Sequence, residues 1–115
     1  MTPAVVAFER NGPPNAAAQA YRSVLQRWPD NPTLAMGLGN ALNAASDPQG
    51  AEAVFRGVAE QRDLPAAYNN RARVQPELGQ RTAARQAAEC GLAVAGPLRP
   101  ALLETLEAIK RAANP

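Results

Sequence analysis

A pattern of large and small apolar residues returns along this chain every 34 and then every 33 residues, and that regularity restricts the fold more than any other feature. Ala17, Tyr21, Val24 and Leu25 return as Ala51, Phe55, Val58 and Ala59. Ahead of them, Ala4, Val5 and Phe8 return as Leu38, Gly39 and Leu42, and Pro14 returns as Pro48. A third copy reads Arg71, Ala72 and Gln75, then Gly79, then Ala84, Ala88, Gly91 and Leu92. Each copy is long enough for two helices. One such pair cannot bury its apolar face alone, so the pairs must stack.

Composition and punctuation agree. Alanine is abundant, and the aromatic residues are only Phe8, Tyr21, Trp28, Phe55 and Tyr68. Closely packed helices suit that profile, and a sheet does not. Pro14 and Pro48 fall just inside helix starts, where the missing N–H is not needed. Asp47 precedes Pro48 and is placed to cap that helix. Residues 28–32 read as a turn, and Gly12 and Gly79 close the first helix of their pairs. The expected helices are about 2–11, 14–27, 32–45, 48–62, 65–78, 81–95 and 99–113. The last stands apart behind Pro97 and Pro100. Its stripe of Leu102, Leu106, Ile109 and Ala113, with Glu104, Glu107, Lys110 and Arg111 elsewhere, describes a cap with one face for the last repeat and one for water. The short first helix has no cap, so the chain is expected to be a domain of a longer protein.

The period and the residues at fixed offsets resemble the tetratricopeptide repeat, W-x2-L-G-x2-Y followed by A-x3-F and P. In the second copy Ala35 takes the Trp place, followed by Leu38-Gly39, Leu42, Ala51 and Phe55, with Asp63 in the closing Pro place. The first copy supplies Ala17, Tyr21 and Pro29. The third has Tyr68 for Trp, but Arg71 and Gln75 where Leu and Tyr are expected. The resemblance covers about residues 2–96. It implies an all-α solenoid of three antiparallel helix pairs (about 2–29, 32–63 and 65–96) plus a capping helix, forming one domain over 1–115. In this scheme Gly39, Ala51 and Ala72 let helices approach, while Tyr21, Leu38, Leu42 and Phe55 fill the space between them.

The chemistry of the chain points away from catalysis. With no histidine and a single cysteine, neither a Ser–His or Cys–His nucleophile nor a usual zinc or haem site can be assembled within it. No phosphate-cradling glycine loop is present, the acids are scattered at helix-surface spacing, and no cofactor is expected. Twelve basic residues against ten acidic ones leave a net charge of +2, with arginines dispersed, so no nucleic-acid partner is expected. No apolar run approaches the roughly 20 residues of a membrane span. The lack of a visible signal peptide fits either a cytoplasmic protein or a piece of an exported precursor.

Several residues carry two readings. Cys90 reads as a small half-buried filler and, in the sharper reading, as a reactive thiol with no activating partner in view. Trp28 reads as packing over a helix end or as an exposed partner anchor. A polar group at the Arg71 and Gln75 positions must be paired or must snorkel to water. Pro76 removes the helical bond back to Ala72. Together these three describe either a decayed terminal repeat or a distortion that shapes a binding surface.

The family resemblance implies a protein or peptide ligand held on the concave face by the first helix of each pair. By register that face carries Val6 and Glu9, then Thr33, Met36, Asn40 and Asn43, then Asn69, Asn70 and Arg73. The candidate groove is Met36, Asn40, Asn43, Asn69, Asn70 and Arg73: asparagines to bond a peptide backbone, Arg73 for a carboxylate. Asn40 and Asn70 match positions of the carboxylate-clamp members, but Met36 stands where the clamp has lysine. Residues 21–31, Gly37–Leu42 and Gly96–Leu98 also look like the C-terminal repeat segment of bacterial envelope proteins with a papain-like C39 cysteine peptidase domain. That resemblance implies an accessory role beside a neighbouring domain of the same protein. Self-association through the open N-terminal end is a third route.

Overall fold

The computed structural model describes residues 14–113, and these are helical with no strand among them. The six α-helices are α1 (Pro14–Arg27), α2 (Pro32–Ala44), α3 (Pro48–Arg62), α4 (Pro65–Val74), α5 (Arg81–Ala93) and α6 (Arg99–Ala113). Short 3-10 turns, Gln75–Leu78 and Gly96–Leu98, follow α4 and precede α6. The expected helix over 2–11, with Val6, Glu9 and Gly12, lies outside the described residues. The other boundaries agree with the sequence reading to within two residues except at α4. No described helix is long and apolar enough to cross a membrane.

Local chemistry explains the boundaries. Each of α1 to α4 begins on a proline, whose fixed φ suits the first helical position. Asn31 caps α2, its Oδ1 accepting from the Leu34 N–H at 3.1 Å. Asp47 caps α3 in the same way, accepting from the Gly50 N–H at 2.9 Å.

The helix ends repeat as faithfully as the helices. At the end of α2 the Ser46 N–H bonds Asn43 O at 3.0 Å and the Asp47 N–H bonds Leu42 O at 2.9 Å. After α4 the Gly79 N–H bonds Pro76 O and the Gln80 N–H bonds Gln75 O, both at 3.0 Å. Both ends are Schellman caps, and each needs a left-handed residue. Gly79 supplies it at φ 74° and Ser46 at φ 65°. Asp63 after α3 (φ 50°) and Gly96 after α5 (φ 51°) are a second matched pair.

The packing falls into a first unit ending at Val54 and a second beginning at Phe55. In the first, α1 packs on α2, burying Ala17, Ala18, Tyr21, Leu34, Leu38, Ala41 and Leu42. The Tyr21 ring lies where a Cβ on Gly37 would stand, so this crossing requires glycine. In the second, α4 packs on α5, and α6 packs on both. Ala72, Ala84, Ala87 and Ala88 form a core with Leu106 and Ile109, and Leu92 packs against it. A Cβ on Gly91 would meet Leu102 Cδ2 at 2.7 Å and Tyr68 Cβ at 2.9 Å, so α4, α5 and α6 meet closely there. Leu102, Leu106 and Ile109 are buried, while Glu104 and Glu107 are exposed, as expected of a cap.

Two expectations need correction. The helix over 65–78 is not continuous: the α-helical ladder stops at Val74 and the chain tightens into the 3-10 turn. Pro76 has no N–H for Ala72, so the tighter turn takes over. Gln75, expected to be paired or to reach water, does neither. It is 0% exposed, and both its side-chain nitrogen and oxygen lack a hydrogen-bond partner.

Two stability predictions follow from these sites. Replacing Ser46 with glycine relieves a left-handed backbone and should raise stability by about 1 kcal/mol. Gln75→Met keeps the volume and removes the unbonded amide. It should stabilise by about 1–3 kcal/mol. Urea midpoints of each variant against the parent check both, and a lower midpoint for Gln75→Met would show that the amide is satisfied in solution.

Candidate binding cleft

Within the second unit, an open cleft of about 510 Å³ lies between α4 and α6. One side is Asn69, Ala72 and Arg73 of α4 with Pro76 of the 3-10 turn that follows it; the α6 side includes Ala101, Glu104, Thr105, Ala108 and Ile109. Ala72 and Ile109 are buried and form the floor. Ala101, Thr105, Ala108 and Ala112 recur at helical spacing on one face of α6, beside the buried stripe. Such short side chains cannot fill the space between two helices, and the cleft is the result. The Thr105 hydroxyl donates to Asn69 Oδ1 at 2.6 Å and ties the two walls together.

The structure thus brings Asn69 and Arg73 together at one site. Asn69 is half-buried and Arg73 is exposed. Asn70, half-buried beside them, is outside the lining. Met36, Asn40 and Asn43 share one face of α2 in the first unit, Met36 half-buried and both asparagines exposed. The sequence reading missed the α6 wall. The stripe at 101, 105, 108 and 112 was there to be seen, but alanines on a cap read as solvent-facing filler.

The remaining polar and aromatic residues find local roles. The Tyr68 hydroxyl donates to Asp63 Oδ1 at 2.6 Å, across the turn between α3 and α4. That bond holds the proton on Tyr68, and burial and the Asp63 charge add to it, pushing its pKa up to about 12. Arg71 is half-buried, and its charge pulls in the opposite direction on Tyr68. Cys90 is exposed rather than the expected half-buried filler, because its place on α5 turns away from the alanine seam. Trp28 is 42% exposed, and the Arg27 guanidinium lies over its ring at 5.3 Å. It therefore packs against its own neighbour while leaving part of its ring to solvent.

Paired helices ending in matched Schellman caps, with an open cleft beside the last pair, have the form of a helical-repeat protein. Residues 10–74 match the family model described as tetratricopeptide repeat. The match spans more than half of the chain, and the chain belongs to the tetratricopeptide-repeat family, with the all-α repeat fold of that family. Its general role is that of a protein-interaction scaffold. No curated protein matches the chain.

The Tyr68–Asp63 bond has a pH signature. The raised pKa means that the unfolded chain loses the Tyr68 proton first, near 10, while the folded chain holds it to about 12. The contribution of this group is complete below pH 10 and is lost as pH rises to about 12. Urea midpoints measured from pH 9 to 12 should fall more steeply in the parent than in Tyr68→Phe. Parallel curves would show that the bond is absent in solution.

Proposed function

We propose that this chain is a non-catalytic module that binds a polypeptide on the face carried by the first helix of each pair, and that the α4–α6 cleft is the best-formed part of that site. The cleft itself is the supporting observation. Its volume of about 510 Å³ is within the range of roughly 300–1,000 Å³ typical of ligand pockets. Its walls offer what a peptide needs: small apolar side chains that let a backbone come close, and Arg73 for a charge-assisted bond to a carboxylate. In the first unit, α2 offers similar chemistry of its own, with Asn40 and Asn43 on one face and Met36 as an adaptable apolar contact. Asn70 adds a further amide on α4. The short site fits weak binding, about micromolar or looser.

Ala108 is exposed on the cleft wall, so Ala108→Trp fills the cleft without entering the core. Proteins captured by the parent chain should be lost by Ala108→Trp at an unchanged melting temperature. Capture retained in full by Ala108→Trp would move the site away from the cleft.

A further inference from the structure

The charges on the two walls are opposite and offset, and we infer that the cleft selects an extended segment of a partner protein carrying a carboxylate and a cation two residues apart. This deepens the binding reading above and rests on it. Short connections join α4 to α5 and α5 to α6, and each of these pairs packs together, so each pair is antiparallel and α4 and α6 run in the same direction; the Asn69–Thr105 bond sets their register along the cleft. Arg73 stands one turn beyond Asn69, and Glu104 stands one residue before Thr105. The two charges are therefore separated along the cleft by five residues of helix, or about 7.5 Å at the helical rise. An extended chain advances about 3.3 Å per residue, so this offset matches about two residues.

Alternate side chains of an extended chain point to the same side. A segment whose first and third side chains carry opposite charges thus presents both to the cleft at once, the acid to Arg73 and the base to Glu104. Both of these residues are exposed at the rim, where a partner reaches them without disturbing the core. The small side chains between them, Ala72 and Ala108, leave room for the backbone. An acidic or a basic segment alone would place a like charge against one rim residue, so opposite-charge spacing provides selectivity as well as attraction.

The probe is a phage-displayed library of random heptapeptides panned on the whole 115-residue chain. The expected consensus has opposite charges two residues apart in one fixed order. Arg73→Glu alone should weaken the selected peptides at least tenfold, and Arg73→Glu with Glu104→Arg should select the reversed order. Circular dichroism melts confirm that each variant is folded. A consensus without the charge pair, a selection indifferent to the swap, or no enrichment overturns the proposal. Ala108→Trp separates the two levels. Peptides lost by that variant but lacking the charge rule leave the cleft as the binding site and refute only its selectivity; peptides that still bind refute both. A dimer in sedimentation that Ala108→Trp dissolves makes a second copy the occupant and also overturns the proposal.

Discussion

The structure depends on how closely its helices approach, and that distance is set by residues with little or no side chain. Tyr21 lies over Gly37 with no room for a Cβ, and Gly91 is wedged between Tyr68 and Leu102. Ala51, Ala67, Ala72, Ala84 and Ala88 are all fully buried. With so few aromatic and branched residues, the chain builds its core by bringing backbones together rather than by filling a wide gap. Dispersion contacts at such seams are individually small and numerous, so the seams tolerate little added volume. A methyl group at Gly91 meets Tyr68 Cβ, an atom that cannot swing aside without moving α4.

Close approach alone does not make a repeat; the chain must also make the same turn at each matching helix end. The left-handed residues provide that turn. Ser46 and Gly79 occupy equivalent places after the first helix of their pairs, as Asp63 and Gly96 do after the second. Sequence chemistry varies at these places while conformation does not. Glycine adopts the left-handed region freely, aspartate enters it with some help from its side chain, and serine does so at a cost. At Asp63 the carboxylate also holds the Tyr68 hydroxyl, so one residue ends α3 and anchors α4.

Much of the fold was legible because its signals are local. Proline at helix starts, Asp47 as a cap, Gly79 as a terminator and the Leu102–Leu106–Ile109 stripe each act within a few residues of themselves. Gly37 and Gly91 were harder: their necessity comes from Tyr21 and Leu102, residues far away in sequence. Gln75 shows the limit of the rule that buried polar groups find partners. The sequence marks it as out of place in the repeat, yet only the packing reveals that it is wholly enclosed. The α6 wall of the cleft was hidden for a related reason. Alanine stripes acquire meaning only when the facing helix is known, and the Asn69–Thr105 bond joins residues too distant for any spacing rule to pair.

That bond also shows why cap and site should not be treated separately. One face of α6 seals the core through Leu102, Leu106 and Ile109, and the adjoining face forms half of the cleft. A segment bound in the cleft touches α4 and α6 together, so it holds the cap against the last repeat while it is bound. Any ligand that binds only the folded form stabilises it in proportion to the logarithm of its concentration over its dissociation constant. α6 is thereby the element that such ligand contact would secure. The repeat motif supplies the frame, and Asn69, Arg73, Glu104 and Thr105 stand on helix faces that the motif leaves unspecified.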